Sequence, residues 1–285
     1  QLVILLRGRV QLDCRESEVF FFCSMSSIAT LFLNRANPAC YEILTLLQFL
    51  NVDYRVMDVN PIMKGKEKKL TKSKEVPIIR YDKNRNVYEA DPKRIIRHYI
   101  EEVGKQPLTA EELKWIDYIH KEVVPSMSLF NSSSLGNLKR LYSFMYDPLC
   151  SLNTPSRVMG RLIAPYYSRL AEQYSSRKRL GVTYSTSSDH PIAVVGVQIA
   201  EAIDNANEAN EANHDPDSVF ISGNSKPCLI DILMFGTLRQ LKELNSLNCL
   251  ASPVTTNWFN TVNDIVDLVR SEERRVGKEC RSRWS

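Results

Sequence analysis

The chain has 285 residues, 44% hydrophobic and 25% charged, with a formal net charge of +4, which excludes a mainly disordered chain and allows one large or two ordinary domains. Ten Gly and seven Cys exclude collagen-like and disulfide-scaffold proteins, and no apolar run reaches the ~20 residues that span a bilayer. The charges are mild and interspersed, so we expect no nucleic-acid partner.

The two ends of the chain differ from the rest. Residues 1–28 begin at Gln1 and fit no pattern described below, so we treat them as an uncertain leader outside the domains. Residues 270–285 include the stretch SEERRVGKECRSRWS (Ser271–Ser285), which matches the translation of a common sequencing adapter. We expect this tail to be an artefact, and we infer no basic nucleic-acid arm from it.

Residues 29–51 predict a strand followed by a helix. Ala29–Leu33 is a short apolar run, and Asn37-Pro38 is a strong helix start, because Asn caps free N–H groups and Pro fits the first turn. Asn51 is a suitable left-handed stop. Spacing predicts one apolar helix face, formed by Ile43, Leu44, Leu47 and Leu50.

Further strands and a second capped helix follow. Tyr54–Val59 alternates as a half-buried strand, and a lysine-rich solvated helix is expected at 64–74. Two more strands are expected at Val76–Tyr81 and Val87–Glu89, joined by a turn at 82–86. Asp91-Pro92 repeats the pattern of cap and proline. This order predicts a parallel crossover followed by an antiparallel hairpin, in an α/β domain at 29–103.

A polar linker at 104–110 leads into a helical region at 111–269. Thr109 and Glu112 have capping-box spacing, and Pro165 is expected to interrupt a helix. Residues 205–213 (NANEANEAN) are expected to form a low-complexity, solvated insertion. Asp231 lies three residues after Cys228, so we interpret it as a capping element that supports folding.

Several of these motifs together resemble one known family. The first strand, the Asn37–Cys40 helix start, Val76-Pro77 and Asp91-Pro92 resemble the glutaredoxin-like half of membrane-associated prostaglandin E synthase type 2 proteins. The helical half resembles their second domain through Glu111–Trp115, Phe220–Arg239 and Trp258-Phe259. The resemblance covers residues 29–269 and implies a thioredoxin-like N-terminal domain followed by an all-α domain of the glutathione S-transferase (GST) C-terminal type.

The resemblance also implies a function. The family is described as using glutathione to isomerise prostaglandin H2 to prostaglandin E2, with reported haem binding. It therefore implies glutathione as cofactor, a small lipid or electrophilic substrate, and a homodimer as one option. Haem is implied by the resemblance alone, since no family haem ligand maps onto this chain.

The family's Cys-Pro-x-Cys site is incomplete here, because Asn37 stands where the first Cys is expected while Pro38 and Cys40 match. A thiol at a helix start is activated by the exposed N–H groups, whereas an amide cannot act as a nucleophile. Asn37 either holds the sulfur of glutathione or only caps the helix. Cys40 is either a reactive thiol or a small buried group.

Three further residues complete the predicted glutathione site. We expect a cis peptide at Val76-Pro77, as in the related folds, exposing the preceding backbone for pairing with an extended peptide such as glutathione. Asp91 either accepts the γ-glutamyl ammonium group or only caps its helix. The family has a hydroxyl residue after this acid, whereas Pro92 follows it here.

Three functions remain open at this stage. The first is a prostaglandin E synthase-like isomerase that uses the glutathione thiolate. The second is a catalytically silent, GST-like binding module that lost the first Cys. The third is monothiol disulfide exchange through Cys40.

The remaining expectations concern metals, location and surfaces. The Cys and His residues lack metal-ligand spacing, so no metal is expected, and scattered free thiols are typical of a reducing intracellular compartment. The family leaves membrane-associated and mitochondrial locations open. A basic stretch either lies on an anionic membrane or is a solvated helix face, and it comprises Arg157, Arg161, Arg169, Arg177, Lys178 and Arg179.

Overall fold

The computed structural model describes residues 29–60, 62, 71, 76–81, 87–146, 152, 154–181, 191–212 and 219–282. For residues 269–282 it describes the backbone only. The lysine-rich helix predicted at 64–74, apart from Thr71, and the turn at 82–86 lie outside these residues. Within them, no helix is both long enough and apolar enough to span a bilayer.

The N-terminal domain is built on a four-stranded sheet with the strand order β2-β1-β3-β4. The strands are β1 (Ala29–Leu33), β2 (Tyr54–Asp58), β3 (Ile78–Tyr81) and β4 (Tyr88–Glu89). Leu31 of β1 lies opposite Val56 in a parallel pair and opposite Ile79 in an antiparallel pair. β3 pairs antiparallel with β4, so the predicted crossover and hairpin are confirmed.

Helix α1 (Pro38–Phe49) follows β1 and is buried on nearly every side. It begins at the Asn37 cap and is followed by Asn51 at φ 52°, as the sequence predicts. The prediction of a single apolar face is wrong, because Leu44 is only half-buried whereas Glu42 and Thr45 are fully buried. The physical reason is that the helical domain packs on the surface of α1 that the sheet leaves uncovered.

The remaining helices complete the N-terminal domain and form the helical domain. Helix α2 (Pro92–Arg97) begins at the Asp91 cap and continues as a π-helix over His98–Val103. The helical domain contains α3 (Ala110–Tyr118), α4 (Val124–Ser133), α5 (Leu135–Leu141), α6 (Thr154–Arg179), α7 (Pro191–Ala212), α8 (Leu229–Leu238), α9 (Gln240–Glu243) and α10 (Pro253–Ser282).

The junction between α3 and α4 is a π-helical stretch, Ile119–Val123. Pro125 follows it and has no backbone N–H to donate to the preceding turn, which explains the wider turn at this point. At the other end of α3, Thr109 and Glu112 form the predicted capping box. His120 is the residue that the π-helical stretch places toward α1.

The prediction that Pro165 interrupts a helix is wrong. Pro165 lies inside α6, which continues to Arg179. The low-complexity stretch is helical through Ala212, at the end of α7. Ala and Glu are good helix formers, and Asn on an exposed surface costs only a fraction of a kcal/mol, about 0.7 at most. Glu208 and Ala209 are exposed, so the stretch is solvated but ordered as helix.

Asp231 is the main polar residue of the helical core. Its Oδ2 accepts a hydrogen bond from the Cys228 N–H at 3.0 Å, which confirms the predicted cap. Its Oδ1 also accepts from the Ile221 N–H at 2.9 Å and from Trp258 Nε1 at 2.8 Å. One carboxylate therefore joins the start of α8 to a preceding loop and to α10.

Candidate functional site

Asn37 and Val76 are brought into direct contact at the start of α1. The Asn37 Oδ1 accepts a hydrogen bond from the Ala39 N–H at 3.0 Å, and its Nδ2 donates to the Val76 carbonyl at 3.0 Å. The Val76-Pro77 peptide bond is cis, as expected from the sequence. The side chain of Asn37 thus caps the helix and also holds the backbone that leads into β3.

The Asn37 amide keeps further capacity to bind a ligand. Its nitrogen carries two hydrogens, of which Val76 takes one. Asn37 is half-buried, whereas Val76 and Pro77 beside it are buried. The second N–H of Asn37 can donate to an anionic or neutral acceptor at the start of α1. An anion there is also favoured by the positive end of the helix dipole.

Cys40 lies one turn into α1 and is enclosed, with 0% of its surface exposed. Its backbone N–H donates to the Asn37 carbonyl at 3.1 Å. An external disulfide reaches this thiol only after the surrounding side chains open. A reactive role for Cys40 therefore stays a prediction, and the burial of its thiol does not favour it.

Asp91 lies on a different element and is exposed at the start of α2. Its Oδ1 accepts a hydrogen bond from the Lys93 N–H at 3.0 Å, and its Oδ2 lies 3.8 Å from Arg94 Nε. The carboxylate therefore caps α2, as the sequence predicts. An ammonium group arriving from solvent would compete with Arg94 for it.

The helical domain holds the loop that carries Asn37. Gln240 Nε2 donates to the Arg35 carbonyl at 2.7 Å, and Asn131 Nδ2 donates to Gln240 Oε1 at 2.6 Å. Arg35 also pairs with Asp58 at the end of β2, with Nε 3.0 Å from Oδ1. Contacts from both domains therefore hold residues 35–37 in place. No sequence pattern indicated these contacts.

A second feature that sequence reasoning missed is a buried ion pair. His120 Nε2 lies 3.3 Å from Glu42 Oε1, with their side chains 12% and 0% exposed. Among the described residues, neither Glu42 oxygen takes part in a hydrogen bond of good geometry. Burial lowers the pKa of His120, but the Glu42 carboxylate outweighs burial and the net pKa is raised.

Two further polar pairs connect α1 to α9 and to Arg239, which lies between α8 and α9. The Tyr41 hydroxyl donates to Glu243 Oε2 at 3.0 Å, and Arg239 Nη1 donates to Gln48 Oε1 at 2.9 Å. Burial raises the pKa of both Tyr41 and Glu243. The sequence did contain one indication of these contacts, since Glu42, Thr45 and Gln48 lie in an otherwise apolar helix. Polar side chains in a helix that is buried on every side require polar partners.

Metal ligands do not converge in the part of the chain that the structure describes. No group of three or more His, Cys, Asp or Glu side chains there is arranged to hold a metal ion.

Comparison with solved structures shows a fold similar to that of glutathione S-transferases. A glutathione S-transferase from Rhodospirillum rubrum matches with a TM-score of 0.50 at 12% identity, covering 82% of this chain and 87% of its own. A glutathione transferase from Phanerochaete chrysosporium, solved with oxidized glutathione, has a TM-score of 0.47 at 13% identity and covers 88% of this chain and 98% of its own. No family model and no curated protein matches the sequence.

The chain therefore has a GST-like fold, with a thioredoxin-like N-terminal domain and a helical C-terminal domain. The expected fold class is confirmed. The comparisons show a GST-like fold and not prostaglandin E synthase type 2 in particular.

Proposed function

We propose that this protein binds glutathione at the start of α1 and that any reaction it catalyses uses the thiol of that tripeptide. The observation that carries the proposal is the Asn37 amide, which is tied to Val76 and has a second hydrogen to donate. The GST-like fold supports it. Glutathione would supply a thiolate nucleophile that the start of α1 lacks.

Each predicted site residue has a defined part in this proposal. Asn37 would donate its second hydrogen to the sulfur and thereby favour the thiolate over the thiol. The backbone of Val76, held by Asn37 and followed by Pro77, would pair with the extended tripeptide. Asp91 would accept the γ-glutamyl ammonium group, exchanging its contact with Arg94 for a full ion pair.

The proposed substrate is prostaglandin H2 or a related endoperoxide or electrophile, by the resemblance described above. An isomerisation returns the thiolate at the end of the cycle, so it needs no second thiol. This agrees with the burial of Cys40, which is 0% exposed. Homodimerisation is part of the same resemblance and rests on it alone.

Haem does not enter the proposal, because it is implied by the resemblance alone and no family haem ligand maps onto this chain. The described histidines are His98 and His120, and each has a ring nitrogen facing a carboxylate. These contacts are His98 Nδ1 to Glu102 Oε2 at 2.7 Å and His120 Nε2 to Glu42 Oε1 at 3.3 Å. We derive no step through haem.

A catalytically silent binding module is the second candidate. It is favoured by the fact that both polar groups of Asn37 already have partners within the chain, the Ala39 N–H and the Val76 carbonyl. In that case the amide is a structural replacement for the first Cys. Calorimetric titration of glutathione into the full chain separates the two candidates, since the silent module predicts no heat of binding.

The variant Asn37→Ala tests the proposed role directly. It removes the donor, and we expect glutathione affinity to fall about tenfold, as for loss of one charge-assisted hydrogen bond. Thr109→Ala is the matched control, because it removes the cap of α3 but leaves the start of α1 intact. Equal affinity in both variants and in the parent would refute a role for Asn37 in binding.

Asn37→Cys tests whether the pocket is competent. A thiol at this position gains from the helix start and should give glutathione-dependent disulfide reduction. Release of prostaglandin E2 from prostaglandin H2, measured with and without glutathione, tests the parent chain. If Asn37→Cys gains no disulfide reduction and the parent binds no glutathione, the silent module is the correct description.

A further inference from the structure

Two amide side chains of the helical domain reach the loop that leads to Asn37, which we call the site loop (residues 34–37). Gln240 begins α9 and Asn131 lies near the end of α4, and they are 0% and 2% exposed. Because both side chains are buried, they can act on a bound ligand only through the site loop.

The contacts of this pair end on two consecutive backbone carbonyls of the site loop. Gln240 Nε2 donates to the Arg35 carbonyl at 2.7 Å, and Asn131 Nδ2 donates to the Ala36 carbonyl at 3.4 Å. A further hydrogen bond, from Asn131 Nδ2 to Gln240 Oε1 at 2.6 Å, joins the two amides, which we call the clamp. The clamp therefore ties the helical domain to the two residues immediately before Asn37.

The direction of each hydrogen bond in the clamp is fixed by the loop carbonyls. A carbonyl oxygen only accepts, so Gln240 has to present its NH2 group to Arg35 and its oxygen to Asn131. Asn131 then has to present its own NH2 group, because the reversed amide would set an oxygen against the oxygens of Gln240 and Ala36. The clamp thus has one satisfactory arrangement, and a carboxylate in place of either amide would oppose it.

The site loop has little freedom of its own between the clamp and Asn37. The Ala36 N–H donates to Asn34 Oδ1 at 3.1 Å, and the Asn37 N–H donates to the Asn34 carbonyl at 2.9 Å. Arg35 Nε lies 3.0 Å from Asp58 Oδ1. A displacement of the Arg35 and Ala36 carbonyls is therefore passed on to Asn37, because the turn is too closely bonded to absorb it.

We propose that Gln240 and Asn131 are positioning residues, which set the direction in which Asn37 offers its second N–H to the sulfur of bound glutathione. This role rests on the proposed function. A hydrogen bond weakens steeply as its donor angle departs from linear, and a binding site has to hold its donors to within about 0.5 Å. The contacts of Asn37 with Ala39 and Val76 lie within the N-terminal domain, whereas the clamp makes the helical domain hold the same donor.

Two variants of Gln240 test the clamp. Gln240→Met removes both amide groups at similar side-chain length, and Gln240→Glu sets an oxygen against the Arg35 carbonyl. Gln48→Glu is the matched control, because Gln48 Oε1 accepts from Arg239 Nη1 at 2.9 Å and its Nε2 donates to the Tyr54 hydroxyl at 3.0 Å. A carboxylate still accepts from Arg239, and the Tyr54 hydroxyl can donate to it, so the control makes the same change without disturbing the site loop.

The first measurement is the ionisation of bound glutathione, followed by the ultraviolet absorbance of the thiolate as pH is raised. In both Gln240 variants we expect the ionisation constant of the bound thiol to be about tenfold smaller than in the parent, because a misdirected donor no longer favours the thiolate. Gln48→Glu should match the parent. The affinity for S-methylglutathione, which has no thiol, should change little in any of the variants.

The second measurement needs no ligand, since NMR spectra of the full chain report on the Asn37 side chain directly. Its side-chain amide resonances should shift in Gln240→Met and stay in place in Gln48→Glu. Circular dichroism and urea unfolding show whether each variant folds. Gln240→Met keeps the test available if the opposed oxygens of Gln240→Glu prevent folding.

Three outcomes would contradict the role of the clamp. Equal loss of affinity for glutathione and S-methylglutathione, with unchanged ionisation of the bound thiol, would show that Gln240 only supports the fold. Asn37 amide resonances that stay in place in Gln240→Met would overturn the role without any ligand. A parent that binds no glutathione would refute the proposed function together with this role, whereas a parent that binds it, with the same thiol ionisation in every variant, would refute the clamp alone.

Discussion

His120 Nε2 lies 3.3 Å from Glu42 Oε1 across the junction of the two domains. His120 comes from the π-helical stretch between α3 and α4, and Glu42 from the middle of α1. Because Glu42 is fully buried, the pair joins the domains at a carboxylate that water does not reach. The protonation state of one histidine is thereby linked to the stability of the domain contact.

This pair predicts a pH-dependent stability. The folded pKa of His120 is raised above its ordinary value of 6.5, so its stabilising contribution is complete below that value and is lost as pH rises through the folded pKa. We expect the free energy of unfolding of the parent, measured by urea titration, to fall as pH rises from below 6.5 through the folded pKa of His120. His120→Gln should remove the dependence and cost about 3 kcal/mol at acidic pH, because Glu42 remains buried without a cation.

The control for this experiment is His98→Gln. His98 also faces a carboxylate, Glu102, but that partner is 69% exposed on the same helical segment. The variant should keep the pH profile of the parent. An unchanged profile in His120→Gln would contradict the assignment of the pH dependence to the buried pair.

Replacing Asp231 with Asn should destabilise the helical domain. The carboxylate accepts from Cys228, Ile221 and Trp258, and an amide nitrogen cannot accept a hydrogen bond. We expect a loss of about 1–3 kcal/mol in thermal or urea unfolding. Asp204→Asn, an exposed residue on α7, should change stability little, and equal effects in the two variants would refute the role given to Asp231.

Gly236 sets how closely α8 approaches α1. A Cβ at this position would lie 2.9 Å from the Cα of Glu42 and 3.0 Å from the Cβ of Thr45. Gly236→Ala should therefore force the domains apart and cost about 1–3 kcal/mol. Gly136→Ala is the control, because the nearest neighbour of its Cβ would be the Ser134 hydroxyl at 3.2 Å, a single side-chain atom rather than the backbone of another helix.

Cysteine alkylation tests whether Cys40 is accessible. Cys40 and Cys228 are buried, whereas Cys249 is partly exposed. A small maleimide should modify Cys249 well before the other two in the folded chain, and all three at similar rates in urea, as read by peptide mass spectrometry. Preferential modification of Cys40 would favour monothiol exchange over glutathione chemistry.

Much of the N-terminal domain could be predicted from the sequence, because its signals are local. Asn37 binds the Ala39 N–H and Asp91 binds the Lys93 N–H, each two residues along the chain. Both partners of such a contact are close neighbours in the sequence, so the helix starts were predicted correctly. The parallel pairing of β1 with β2 and the antiparallel pairing of β3 with β4 followed from the same alternation of elements.

What the sequence determined by itself is therefore the set of strands, the starts of the main helices and the absence of a thiol at position 37. The tertiary structure decided which helix surfaces are covered: Leu44 is exposed in part, Glu42 is buried, and Leu162 and Leu170 of α6 are exposed. It also decided the clamp on the site loop, in which Gln240 reaches Arg35 across 205 residues. Such contacts depend on how distant segments pack, and a local pattern of residues carries no information about its distant partners.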